Sequence, residues 1–108
     1  MHDRPPIVIG AGPAGCRAAA TLAAAGLAPI VLDEAPVSGG QIYRRAPAGF
    51  TRPYRALYGF DAARARRLHK AFDGITTSID YRPDTLVWGL RHGALPCLSG
   101  GRSEEAPY

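Results

Sequence analysis

Ile7-Val8-Ile9-Gly10-Ala11-Gly12-Pro13-Ala14-Gly15 decides how this chain is read. Three β-prone aliphatic residues run into Gly-x-Gly-x-x-Gly, and an alanine-rich segment follows without a break. That order predicts a strand, a tight turn and a helix N-terminus, the context in which a glycine pattern acquires a mechanism. Gly10 permits the sharp exit from the strand. Gly12 lets the backbone approach a diphosphate with no Cβ in the way, and Gly15 lets the helix pack on the strand. The helix N-terminus that begins at Pro13 offers unpaired N–H groups and a partial positive charge to phosphates. The expected ligand is a dinucleotide.

Working outward, Pro5-Pro6 end any earlier helix, so residues 1–6 read as a short disordered lead. The run Ile7–Ile9 is continuously apolar, as expected of a strand buried on both faces of a parallel sheet. Proline suits the first helical position, and Gly26 suits the cap just past the helix end. Ala14, Ala18, Leu22 and Ala25 recur at helical spacing and predict a narrow small-residue face toward the sheet, with Arg17, Thr21 and Ala24 turned away. Pro29-Ile30-Val31-Leu32 reads as the second strand, proline being tolerated at its first residue. Asp33 ends it, eighteen residues beyond Gly15. A carboxylate there would accept hydrogen bonds from ribose hydroxyls and would disfavour a 2′-phosphate. Glu34 is the competing candidate, and a plain surface acid is the bland alternative.

Residues 35–60 carry Gly39-Gly40 and prolines at 36, 47 and 53, and read as a long irregular loop. A second helix is expected from Asp61, as N-cap, to about Asp73, with Gly74 behind it. Ala65, Leu68 and Phe72 form its apolar stripe, with Arg64, Arg66, Arg67 and Lys70 on the wet side. Three β candidates follow: Ile79–Arg82, Thr85–Arg91 and Leu95–Leu98, the last two turned by His92-Gly93-Ala94 into a hairpin. The tail from Arg102 to Tyr108 reads as polar, without a closing element.

A chain of 108 residues is one domain at most, and 46% hydrophobic content permits a core. Of the 13 basic residues behind the net charge of +4, eight lie between Arg44 and Lys70, where Asp61 is the sole acid. With Tyr43, Phe50, Tyr54, Tyr58 and Phe60 beside them, they superficially suit single-stranded nucleic acid. Solvated arginines on a helix and a loop explain them better, so no nucleic-acid partner is expected. No apolar run approaches the ~18 residues of a membrane span, and Met1–Pro6 holds no signal-like segment. The expected location is the cytoplasm. Cys16 and Cys97 form no Cys-x-x-Cys, and His2, His69 and His92 lack ligand spacing, so no metal site is expected. Cys16 and Cys97 read as buried small residues, His69 as a half-exposed helix residue, His92 as a hairpin end and Trp88 as strand core. No catalytic base or nucleophile can be named.

Ile7 to Asp33 resembles the FAD-binding N-terminus of the pyridine-nucleotide–disulfide-reductase-like flavoproteins. Val37-Ser38-Gly39-Gly40-Gln41-Ile42-Tyr43-Arg44 resembles a segment of the FAD-dependent opine oxidase, cyanide synthase and hydroxyproline dehydrogenase subunits. Thr85–Trp88 and Leu98–Gly101 sit where that family has its β-meander. The resemblance implies an α/β fold: a Rossmann-like βαβ FAD-binding unit with a meander. It implies FAD held by Gly10, Gly12, Pro13, Ala14, Gly15 and Asp33 or Glu34, with Gly40 and Gln41 near the cofactor. Arg44 would face a phosphate or solvent. The implied substrate is an amine, opine or imino acid, and further oxidoreductase subunits are possible partners. In such proteins a strand ending in Ala-Thr-Gly and a second nucleotide domain follow the meander. Residues 7–108 are therefore expected to be a partial FAD-binding domain, truncated at the C-terminus and inactive alone, or else a non-catalytic nucleotide-binding remnant or accessory subunit.

Overall fold

A computed structural model describes residues 4–40, 45 and 53–108, apart from the side chain of Tyr54. Strand β1 (Ile7–Ile9) leads through the glycine turn into helix α1 (Pro13–Ala24) and back into β2 (Ile30–Leu32). A short helix α2 (Tyr54–Tyr58) and a 3-10 turn precede α3 (Ala62–Ile75), which crosses to β3 (Asp80–Arg82). Strands β4 (Thr85–Val87), β5 (Ala94–Ser99) and β6 (Arg102–Pro107) complete the chain.

Among the described residues two three-stranded sheets result. β1, β2 and β3 pair in that order and all in parallel, Ile7 beside Ile30 and Ile30 beside Asp80. β4, β5 and β6 form an antiparallel meander, with Val87 opposite Cys97 and Leu95 opposite Ala106. Strand β2 is the shared centre. Val31 points into a core with Ala11, Cys16, Ala19 and Phe72, under α1 and α3. Ile30 and Leu32 point the other way, into a core with Leu95 and Ala106 of the meander. Burial on both faces explains why the sequence of β2 is apolar throughout rather than alternating.

Helix α1 starts with Pro13 at its first position and ends as the sequence predicts. Gly26, at φ +83°, donates to Ala23 O and Leu27 donates to Leu22 O, a Schellman motif that satisfies two orphan carbonyls. Its inward face differs from expectation. Cys16 and Ala19 are buried, whereas Ala14, Ala18 and Ala25 are exposed. Arg17, Thr21 and Ala24 do face outward.

Other expectations are corrected in the second half. Asp61 stands at the α3 N-cap without a side-chain cap bond, and Gly74 lies inside the helix, not behind it. Residues 54–60, read as loop, carry helical turns. His69 is buried against α2, its ring edge-on to Tyr58. The strand after Thr85 stops at Val87, and Trp88 is exposed rather than core. The tail read as polar and without a closing element is β6, tied along its length to β5, with Ala106 fully buried. The first β candidate, Ile79–Arg82, is β3 and joins the parallel sheet. Arg4 to Pro6, read as part of a disordered lead, are engaged: Arg4 donates to the carbonyls of Gly93 and Tyr108, and Pro6 O accepts from Ile30 N.

Candidate functional site

The turn after β1 is built by backbone alone. Gly10 adopts φ +99°, a conformation glycine reaches without strain, and its N–H donates to Leu32 O at 2.7 Å. The turn is thereby locked to the C-terminal end of β2. Gly15 answers a different need: a Cβ there would overlap the Gly10 carbonyl oxygen and press on Val8. Gly12 is the N-cap of α1 and contributes no side-chain cap, and the first helical turn holds no acid. The first-turn N–H groups of Ala14 and Gly15 thus have neither a side-chain capping oxygen nor an acidic residue in their own turn, which suits an anion site. Pro13 is half-buried and Ala14 exposed.

A second glycine pair closes over this turn. Gly39 N donates to Ala11 O at 2.8 Å. Gly40, at φ +65°, lies so near Gly12 that a Cβ on Gly40 would stand 2.8 Å from the Gly12 Cα. The sequence leads one to expect free N–H groups offered to the cofactor by Gly39 and Gly40. The Gly39 N–H is instead spent on the turn, so this residue builds the site and does not present a donor. Gln41 and Arg44 lie outside the described residues.

Asp33 follows β2 directly and lines a cleft of about 210 Å³ with Ile9, Gly10, Thr85 and Val87. Its backbone is held from both sides: Asp33 N donates to Arg82 O, and Thr85 N donates to Asp33 O at 2.8 Å. Burial pushes its carboxyl above the usual range and Glu34 adds to that, while backbone hydrogen bonds from Ala11, Glu34 and Ala35 oppose it. Among the described residues, Asp33 Oδ2 is buried and has no hydrogen-bond partner. An acceptor left in that state costs free energy until a donor reaches it. Glu34 is exposed beside it and also borders the cleft.

The sequence did not single out Arg45. Its guanidinium, largely buried, reaches Ser38, the His69 carbonyl and the Asp73 carboxylate. Thr85, which the sequence shows only as the start of a strand, is buried at the floor of the Asp33 cleft with its hydroxyl on Pro83 O. Cys16 and Cys97 are buried free thiols, as read from sequence. Burial lifts Cys16 to about 11, with the Arg45 charge opposing, so it is no reactive thiolate. Among the described residues no group of His, Cys, Asp and Glu could hold a metal ion.

An orphaned carboxylate oxygen, a side-chain-free helix start and a glycine-on-glycine lid fit a dinucleotide whose ribose meets Asp33 and whose diphosphate meets the turn. The profile of the NAD(P)-binding Rossmann-like domain matches residues 8–75, more than half of the chain. The chain belongs to that family. Within this Rossmann-like family, its sequence is similar to an opine oxidase subunit of Rhizobium meliloti, 46% identical over 85 residues. That alignment takes in 78% of this chain and 15% of the relative. The corresponding subunit of Agrobacterium tumefaciens (strain Ach5) is 42% identical over 78% of this chain and 16% of its own length. The chain thus spans about one-seventh of the curated relatives it matches. Among solved structures, L-proline dehydrogenase from P. horikoshii superposes with a TM-score of 0.68 at 20% identity, over 94% of this chain and 20% of that one. Bacillithiol disulfide reductase from Staphylococcus aureus superposes with a TM-score of 0.60 at 16% identity, over 97% and 26%. These likenesses confirm the α/β Rossmann-like fold with its meander. No helix among the described residues is long and apolar enough to cross a membrane.

Proposed function

We propose that this chain binds FAD across the glycine turn, as the nucleotide-holding segment of a flavin-dependent oxidoreductase that acts on an amine, opine or imino-acid C–N bond. The observation that carries the binding site is Asp33 Oδ2, a buried acceptor without a partner in the same cleft as Gly10. The substrate class rests on the likeness to opine oxidase subunits. In this reading Gly10, Gly12, Pro13, Ala14 and Gly15 hold the diphosphate, with Gly40 and Gln41 over it. Asp33, in preference to exposed Glu34, takes the ribose hydroxyls. Bound flavin would supply hydride acceptance from the substrate carbon. The chain's own residues bind and orient the nucleotide end of the cofactor. The reading includes an opine-type small molecule and other oxidoreductase subunits as partners, and a cytoplasmic setting in which Cys16 and Cys97 stay reduced.

A second reading, a nucleotide-binding unit that works only with a partner chain, is supported by the edge of the parallel sheet. Among the described residues β1 pairs on one side only, its residue Ile9 is exposed, and an apolar groove runs along Ile7, Leu22, Leu27, Leu90 and Leu95. Titration of the purified chain with FAD and with NADP, followed by flavin fluorescence or calorimetry, separates the readings. Saturable FAD binding by the chain alone supports the first. FAD binding that appears only with a partner subunit supports the second. Binding of NADP in preference to FAD would count against both.

A further inference from the structure

We infer that Arg45 is a positioning residue for the dinucleotide turn, fastening the Gly39-Gly40 segment to helix α3 so that Gly40 rests on Gly12. This rests on the reading of the glycine turn as the diphosphate site. The guanidinium makes two groups of contacts. Toward the glycine segment, Nε donates to Ser38 O at 3.2 Å and Nη2 to Ser38 Oγ at 2.8 Å. Toward α3, Nη1 and Nη2 donate to the two Asp73 carboxylate oxygens at 3.0 and 2.8 Å, and Nη2 also to His69 O at 3.2 Å. Ser38 is buried, and the next residue is Gly39, whose N–H holds Ala11 O inside the phosphate turn. One unbroken chain of contacts therefore links α3 through Arg45, Ser38 and Gly39 to Ala11, and sets Gly40 against Gly12.

The geometry requires arginine. A planar fork of five donors serves a carboxylate and a turn at once, whereas lysine supplies a point charge at one place. Asp73 is exposed, so the ion pair by itself contributes little to stability. Its role is directional, holding the fork flat while Nε and Nη2 reach Ser38. The phosphate turn has no side chain of its own to fix its opening. Arg45 fixes it from outside.

The rival explanation is that Arg45 acts on the phosphates only through its charge, and the two differ in sign at Asp73. If charge alone matters, Arg45→Lys keeps FAD affinity and Asp73→Asn raises it by removing a nearby anion. If Arg45 is a clamp, Arg45→Lys, Arg45→Ala and Asp73→Asn each weaken FAD and ADP binding, by about tenfold for a lost charge-assisted bond. The Arg45→Ala, Asp73→Asn double variant is then no weaker than Arg45→Ala alone. A readout on the ligand-free chain avoids the cofactor: hydrogen exchange of the Gly39 amide, with the Ile30 amide, bonded to Pro6 O, as reference. The clamp predicts that Arg45→Ala speeds Gly39 exchange about tenfold while Ile30 is unchanged. Tighter binding in Asp73→Asn, full binding in Arg45→Lys, or a Gly39 exchange rate that Arg45→Ala changes no more than that of Ile30, would overturn it. Unchanged FAD binding in Gly12→Val would overturn the diphosphate reading instead, and the exchange rates then judge the clamp alone.

Discussion

Gly40 lies across Gly12 with no room between them for a methyl group: a Cβ on Gly40 would stand 2.8 Å from the Gly12 Cα. The same residue holds φ +65°, so alanine there meets both a backbone collision and a conformational penalty. Gly40→Ala is expected to cost about 1–3 kcal/mol in stability and more than that in nucleotide binding. Urea unfolding and FAD titration of the same preparation measure the two. Equal losses in both would mean that Gly40 serves the fold and not the site.

Gly15 faces the opposite wall of the turn. Its Cβ would overlap the Gly10 carbonyl, which is backbone and cannot rotate away as a side chain would. Gly15→Ala should therefore push α1 off β1 and destabilise by about 3 kcal/mol, the upper end of overpacking costs. A melting temperature within a degree of the parent would refute this.

Asp33 gives opposite signs for stability and for binding. Burial raises its carboxyl above the ordinary value of 3.8, so the protonated form suits the free fold best. Its contribution to stability is full below the unfolded value and fades as pH rises through the raised folded value. Ribose hydroxyls need the carboxylate, so affinity falls as pH drops through that same raised value. Asp33→Asn should leave the free chain as stable at neutral pH, or more so, while weakening FAD by roughly ten- to a hundredfold. Calorimetric titrations from about pH 4, near the ordinary carboxyl value, up to about pH 8 check both arms.

Three acids govern the alkaline side: buried Cys16 and Cys97 and half-buried Tyr81, burial raising Cys97 above its ordinary value as well. Burial raises Cys16 from 9.0 to about 11 and Tyr81 from 10.0 to about 12. Each contributes stability that is complete below its unfolded value and is lost as pH climbs through its folded one. Thermal melts should thus fall from about pH 9 upward, and Cys16→Ala should make that fall shallower, Cys97 and Tyr81 remaining. A Cys16→Ala profile that matches the parent would remove the thiol from this account.

The strand–turn–helix–strand order of residues 7–33 was legible because each of its signals is local. A glycine turn, a proline at the helix start, a Gly26 cap and an acid after a strand all act within a few residues of where they are read. The inward face of α1 was misread because alanine recurs on several sides of the helix, so spacing alone cannot choose among them. Packing against Phe72 and Val31 chooses Cys16 and Ala19. Residues 102–107 were misread for another reason. Their sequence, Arg-Ser-Glu-Glu-Ala-Pro, carries little β-propensity, and pairing with β5 together with the single buried Ala106 makes them a strand. Arg45 was one arginine in a cluster. Only the fold shows which of them meets Asp73.

Strand β2 presents Val31 to the helices and Ile30 and Leu32 to the meander. Neither half of the molecule has a centre that it does not share. Helices and meander should therefore melt as one cooperative unit, with a single transition by every probe. A ligand caught at the turn would then protect residues as distant as Ala106. Damage to the meander should be felt as lost affinity at Gly12, although no atom of the meander belongs to the turn.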